Sequence, residues 1–268
     1  RSPFGLSQRG RRSFIAAMKV AFISGTSIVN STLFSTWDVR KTVTPFGEVT
    51  YKTKGDFALI NRHGYSFPLP PHSINYRANI RALAKGGWWS GAAIYRVQDN
   101  YVVQWGNNES EKPLPPGVIA KPPAEYHRRL KGLSVRPLGF ADPYAPRAGF
   151  ARGWPIGYDP RAGTANLAHC YASVGVGRDL SPDTGTGGEL YAVIGHSPRH
   201  LDRNIAVVGR VIEGMERFSS LQRGTGNLGF YTDRSQDTPI RRARLASQLA
   251  PAERPAFQYM DTDSAAFA

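Results

Sequence analysis

The chain has one cysteine, Cys170, so no disulfide can form within it and its stability must come from packing. It has no apolar run of eighteen residues, and so no membrane-crossing helix is expected. Acidic residues are few: 20 Asp and Glu against 34 Lys and Arg, a formal charge of +14. That balance raises the question of an anionic partner. The basic residues are scattered, through RGRR at 9–12, HRRLKG at 127–132 and IRRAR at 240–244. No zinc-finger spacing, RNA-binding aromatic signature or basic zipper accompanies them, so no specific nucleic-acid partner is expected. Helix-length apolar stripes are also scarce. With 28 Gly and 20 Pro, that scarcity points to a β-rich barrel or sandwich with many turns.

What remains is enough for one sizeable core: 268 residues, 41% of them hydrophobic. Residues 1–46 have weak periodicity and read as an N-terminal extension. Within it, RRSFIAAMKVAFISGTSIV (11–29) has the paired arginines and apolar body of an export signal. Lys19 interrupts the body and no small-x-small cleavage site follows, so a periplasmic or secreted protein and a cytoplasmic one are both open. The first strong pattern is a hairpin, Val49–Thr53 and Phe57–Ile60 around Lys-Gly-Asp. A helix is expected from an N-cap at Ser73 through INYRANIRALAK, with Tyr76, Ile80, Leu83 and Ala84 on one face and Gly86 and Gly87 as its stop.

Two strand pieces follow, Ile94–Val97 and Tyr101–Gln104, around the turn Gln98-Asp99-Asn100. Residues 107–123 read as loop, and 132–164 as a long Gly, Pro and aromatic insertion. ANLAHCYASV, ELYAVIGHS, IAVVGRV and IRRARLAS read as further strands, EGMERFSSLQRG as a second helix, and 249–268 as a polar tail. Several chemistries are set aside. GVGRDL and GTGGEL lack the glycines and following helix of a dinucleotide site. His196 and His200 are interrupted by Pro198 and lack a third ligand, so no metal is expected. His169 beside Cys170 would point to the opposite face of a strand. No Gly-x-Ser-x-Gly elbow supports a hydrolase.

Three stretches carry a resemblance. YRVQDNYVVQWG (95–106) has an Arg followed five, six and eight residues later by an aromatic, an apolar residue and a Gln. GGELYAVIG (187–195) follows a Gly-rich loop, and HLDRNIAVVGRVIEGMERF (200–218) combines Leu-Asp, Val-x-Gly-x-Val and a helix. Together they resemble the cyclophilin family of peptidyl-prolyl isomerases, as a divergent, bacterial-like member. The resemblance implies a closed antiparallel eight-stranded barrel capped by two helices, here over residues 47–248. It implies catalysis of X-Pro rotation by a monomer acting on proline-containing unfolded or flexible segments, with no cofactor.

By that resemblance Arg96 matches the catalytic Arg and Gln104 the Gln that orients it. Tyr101 and Val102 match two walls of the proline pocket, Tyr191 its floor and Leu201 its edge. Four places depart from the family pattern. His200 replaces a Trp or Phe, Ile205 a His that closes the pocket, and Glu189 a Gln. Cys170, Tyr171 and Ala172 stand for a stretch whose Asn binds substrate backbone. Tyr171, Ala172, Glu189, His200 and Ile205 are therefore the substrate-binding positions at which affinity or rate is in question. The alternatives are a weak or inactive module that binds proline-containing segments and a basic surface on an incidental scaffold. A direct Arg96–Glu189 pair would favour the former.

Overall fold

The computed structural model of the chain describes residues 20–24, 35–44, 47–54, 57–61, 74–107 and 112–257. They fall into two compact units, residues 1–71 and 72–268. The first unit carries a four-stranded sheet: β1 (Val20–Ser24), β2 (Asp38–Thr44), β3 (Gly47–Lys54) and β4 (Phe57–Asn61), in the order β1-β4-β3-β2. β3 and β4 form the hairpin read from the sequence, with Tyr51 opposite Ile60. The extension is more structured than its weak periodicity suggested. The polar run DVRKTVT is held as β2 by a seven-residue antiparallel pairing with β3, and β1 runs parallel to β4. Of the 11–29 stretch read as an export signal, only β1 lies within the described residues.

The second unit begins with helix α1 (Ile74–Lys85). Ser73, the expected N-cap, lies outside the described residues. The Glu125 carboxylate, from the loop some fifty residues on, accepts from the backbone N–H groups of Asn75 and Tyr76 and so fills the capping role. The inward face is as the spacing predicts: Tyr76 and Leu83 are fully buried, Ala84 is buried, and Ile80 packs beside them. They meet Trp88, Trp89, Val176 and Leu190 in the largest core cluster. Polar staples fix the helix to the loop that precedes the strand Leu190–Val193. The Tyr76 hydroxyl donates to the Thr184 carbonyl at 2.8 Å, and Asn79 Nδ2 donates to the Thr186 carbonyl at 2.8 Å.

Two antiparallel sheets follow. The larger contains β5 (Ala93–Val97), β6 (Val102–Gly106), β12 (Ser173–Val176), β13 (Leu190–Val193), β14 (Val207–Arg210) and β15 (Thr238–Pro239), in the order β14-β12-β13-β6-β5-β15. The smaller contains β7 (Arg128–Arg129), β8 (Arg136–Pro137), β9 (Arg147–Ala151), β10 (Trp154–Asp159) and β11 (Thr164–Leu167), in the order β7-β11-β10-β9-β8. The unit is mainly β with two helices, but the expected closed, eight-stranded barrel is not formed. Among the described residues neither ladder returns to its first strand, and the edge strands of the larger sheet, β14 and β15, are only four and two residues long.

Three element assignments also change. Residues 132–164 are not only loop: they hold β8, β9 and β10, and β9 and β10 pair over five residues and bury Ile156 and Tyr158. ANLAHCYASV is two strands broken between Leu167 and Ser173, where Ala172 takes φ +70° and its N–H donates to the Val193 carbonyl. IRRARLAS forms no strand. Its Ile240, Ala243 and Leu245 pack on the α1 cluster as irregular chain. Helix α2 (Met215–Ser219) forms but ends well before Gly224, with Met215, Phe218 and Leu221 against the core.

Candidate active site

The β5–β6 hairpin brings the first predicted pair together. Arg96 and Gln104 are direct partners across the antiparallel ladder, so their side chains share a face. A register shift between Ile94 and Arg96 leaves Tyr95 without a partner on β6, the mark of a bulge, which re-aims side chains beside it. The Asn100 turn that closes the hairpin takes φ +52°, a conformation that Asn tolerates.

Arg96 is half-buried. Its Nη1 donates to Gln104 Oε1 at 2.8 Å, its Nη2 to Gln98 Oε1 at 2.7 Å, and its Nε to the Leu228 carbonyl at 2.8 Å. The guanidinium also sits 5.2 Å from the centre of the Phe230 ring and 5.8 Å from that of Tyr101, within range of cation–π attraction. Burial pulls its pKa below the ordinary value, while the neighbouring tyrosines push it back. A guanidinium stays protonated throughout the physiological range regardless.

Glu189 is not on the guanidinium. Its carboxylate accepts a hydrogen bond from the Tyr95 hydroxyl, and that hydroxyl oxygen accepts from Gln104 Nε2 at 2.8 Å. Burial raises the Glu189 pKa from 4.5 to about 7, opposed by the bonds from Tyr95 and the Asn107 backbone N–H. Two neutral groups thus separate the charges, and Arg96 and Glu189 do not form the direct pair that would have blocked the site.

The predicted pocket residues gather beside this hairpin. Val102, Tyr191 and Leu201 are buried in one cluster with Val193, and Tyr101 and Ile205 pack against it. Leu201 ends the 3-10 turn Ser197–Leu201. His200, from the same turn, lies against Tyr101 with ring centres 5.5 Å apart. Its Nδ1 donates to the Ser197 carbonyl at 2.7 Å, which leaves Nε2 to accept from the Tyr101 hydroxyl at 3.1 Å. Tyr171 is half-exposed, and its hydroxyl is engaged with Ser219 of α2 at 2.6 Å. Ala172 contributes backbone pairing. Cys170 is partly buried, and burial raises its thiol pKa, the direction that lowers reactivity.

Sequence reasoning missed several participants. His169 is fully buried and, instead of facing away across a strand, sits in the turn before β12. Asp202 Oδ1 accepts from its backbone N–H at 2.8 Å and from Nδ1 at 2.9 Å, so Nε2 accepts from the Tyr191 hydroxyl at 2.9 Å. Gly175 faces Tyr191 across the ladder, and a Cβ there would lie 2.3 Å from the phenol. A glycine opposite is what leaves room for the tyrosine. Tyr95, Gln98, Phe230 and the Leu228 carbonyl were also missed. Phe230 and Leu228 lie in GNLGFYTD, which carries no periodicity to mark it.

A family model described as "Cyclophilin type peptidyl-prolyl cis-trans isomerase/CLD" matches residues 74–245. Among solved structures, a cyclophilin from Hirschia baltica superposes with a TM-score of 0.56 at 22% identity, covering 85% of this chain and 81% of that one. At that identity the likeness speaks for the fold. Curated relatives include a probable 6-oxopurine nucleoside phosphorylase of Dictyoglomus turgidum, 36% identical over 75 residues. An S-methyl-5'-thioadenosine phosphorylase of Saccharolobus solfataricus is 36% identical over 74 residues. The two alignments take in 26% and 25% of this chain, which spans 28% and 27% of the length of those relatives.

Proposed function

The chain belongs to the cyclophilin-type peptidyl-prolyl cis-trans isomerase family, and on that footing we propose that it catalyses rotation about X-Pro bonds. Arg96 is the catalytic group, and Tyr101, Val102, Tyr191, Leu201 and Ile205 are the walls that receive the proline ring. The uncatalysed rotation is opposed by a barrier of roughly 18–20 kcal/mol, because it breaks amide resonance. As the bond twists, the prolyl nitrogen becomes pyramidal and regains a lone pair. A donor aimed at that lone pair binds the twisted state better than either planar one, and such differential binding is what lowers a barrier.

The observation that carries this reading is the way Arg96 is held. A guanidinium has five N–H donors, and three are committed to Leu228, Gln104 and Gln98. Two are left on a side chain that is already fixed in place, beside the apolar cluster of Val102, Tyr191, Val193 and Leu201. A rate gain of about 10^5 needs about 7 kcal/mol, more than one exposed hydrogen bond supplies. Exclusion of water by the aromatic and aliphatic walls is therefore part of the mechanism.

The clients are unfolded or flexible proline-containing chains, met in the periplasm or outside the cell if residues 11–29 act as an export signal. The protein acts as a monomer, without a nucleic-acid partner. Cis–trans exchange in an Ala-Pro peptide, followed by NMR, tests the proposal. Catalytic amounts of the protein should accelerate exchange, whereas peptide binding without acceleration would leave only a binding module.

A further inference from the structure

Arg96 is a donor at every nitrogen, so Gln104 helps to hold it only if it turns its carbonyl, not its NH2, toward the guanidinium. Nothing in a glutamine side chain fixes that choice. The guanidinium itself favours the carbonyl, and whatever touches the far end of the amide either agrees with that choice or competes against it. Here the far end meets the Tyr95 hydroxyl, which can itself either donate or accept. The ambiguity is therefore passed one residue further, to Glu189.

We propose that Glu189 is a positioning residue for Arg96: by accepting the Tyr95 hydroxyl proton it leaves that oxygen free to accept from Gln104, which turns the Gln104 carbonyl toward the guanidinium. The inference rests on the isomerase reading and deepens it. The chain runs Arg96 Nη1 to Gln104 Oε1, Gln104 Nε2 to Tyr95 Oη, and Tyr95 O–H to Glu189 Oε2. It has a donor-only group at one end and a carboxylate that only accepts at the other, so all three bonds have one consistent direction. Each bond also polarises the next and strengthens it.

Surrounding residues keep Glu189 at this post. A Cβ at position 106 would lie 1.9 to 2.1 Å from the atoms of the Glu189 carboxyl group, so Gly106 vacates the space that it fills. At Gly177 a Cβ would come within 2.9 Å of the Glu189 Cβ. The Asn107 backbone N–H supplies a second donor to the carboxylate. The bulge that frees Tyr95 from the ladder completes the arrangement. In the sequence these residues look unrelated.

The proposal makes an ordered prediction. Glu189→Leu removes the acceptor, so the Tyr95 hydroxyl donates to Gln104 instead and competes with Arg96 for its carbonyl. The expected result is about a tenfold lower kcat with KM unchanged. Glu189→Gln still offers an amide oxygen to Tyr95 and should stay within about threefold of wild type. Adding Tyr95→Phe to Glu189→Leu removes the misdirected proton and should restore most of the loss. A purely structural role predicts the opposite, a double variant worse than either single one. Gly106→Ala displaces the carboxylate and should reproduce the Glu189→Leu defect with every chemical group in the chain still present.

The experiment measures kcat and KM by NMR exchange for wild type, Arg96→Ala and these variants. Alongside them it records the nuclear Overhauser contacts of the Gln104 side-chain NH2. Those contacts should point to the Tyr95 ring in wild type and move away from it in Glu189→Leu. A Glu189→Leu protein with wild-type kcat and unmoved Gln104 contacts overturns the proposal, as does a double variant no better than Glu189→Leu. Arg96→Ala as active as wild type would instead overturn the isomerase reading, and the Gln104 contacts would still decide the positioning role.

Discussion

His169 Nε2 lies 2.9 Å from the Tyr191 hydroxyl, and both residues are buried. This pair shows how a tyrosine can be buried in the apolar cluster beside Arg96, where it is proposed to receive the proline ring. Its hydroxyl is satisfied from behind by a histidine that Asp202 orients, and burial pushes the phenol pKa well up, so it remains neutral.

Tyr191→Phe should therefore leave the peptide KM little changed while removing the partner of His169 Nε2. An unsatisfied buried acceptor costs about 1–3 kcal/mol, which urea unfolding would register. A large rise in KM without loss of stability would mean that the hydroxyl faces the substrate.

Asp202 also ties the pocket to the smaller sheet. Arg199 Nε donates to Asp202 Oδ2 at 2.8 Å, and Arg199 Nη1 and Nη2 bind Asp142 in bidentate fashion at 3.0 and 2.9 Å. With side-chain exposures of 18% for Arg199, 10% for Asp142 and 3% for Asp202, removal of the arginine strands two acids in a poorly solvated place. Arg199→Ala should destabilise the protein by about 3–5 kcal/mol and open the 138–146 loop to limited proteolysis. Unchanged cleavage there would separate the loop from this ion pair.

The pH dependence of stability follows from Glu189. Its folded pKa of about 7 stands above the ordinary 4.5, so the folded state holds a proton that the unfolded chain has released. The contribution is fully present below about pH 4.5 and is lost as pH rises through 7. A shift of this size corresponds to about 3 kcal/mol at most. Urea midpoints should show Glu189→Gln gaining on wild type above pH 7 and no such gain near pH 4.

Activity should follow the same titration in the opposite sense. Once protonated, Glu189 can donate as well as accept and no longer enforces the direction of the Tyr95 and Gln104 bonds. The kcat of wild type should fall by at most about threefold as pH drops through 7, within the range of one hydrogen bond. The Glu189→Gln profile should be flat, and an identical slope in both proteins would contradict the assignment.

Much of the fold was legible in the sequence because periodicity and turn chemistry are local. The α1 stripe of Tyr76, Ile80, Leu83 and Ala84, its glycine stop and the β5–β6 hairpin all follow from spacing alone. Arg96 and Gln104 were legible through their match to the family signature, and only the ladder shows them opposite one another. The non-local features were not legible. The smaller sheet hides in Gly- and Pro-rich sequence, since RAGFA and WPIGYD become strands only through pairing with each other. The short edge strands β14 and β15 give no sequence signal that the larger sheet is open. His169, Tyr95 and Phe230 carry no motif, and their roles arise from a broken strand, a bulge and an irregular loop. Glu189 was visible only as a departure from the family pattern. Its distance from Arg96 depended on two intervening side chains that the sequence could not place.

The central claim is that a pre-held Arg96 lowers the barrier to prolyl rotation. Its most direct test is kcat/KM for cis–trans exchange of an Ala-Pro peptide, measured for wild type and Arg96→Ala under identical conditions. The account predicts at least about a hundredfold loss, equivalent to about 2.7 kcal/mol of transition-state stabilisation, with the fold intact by circular dichroism. Equal exchange rates for the two proteins would contradict it.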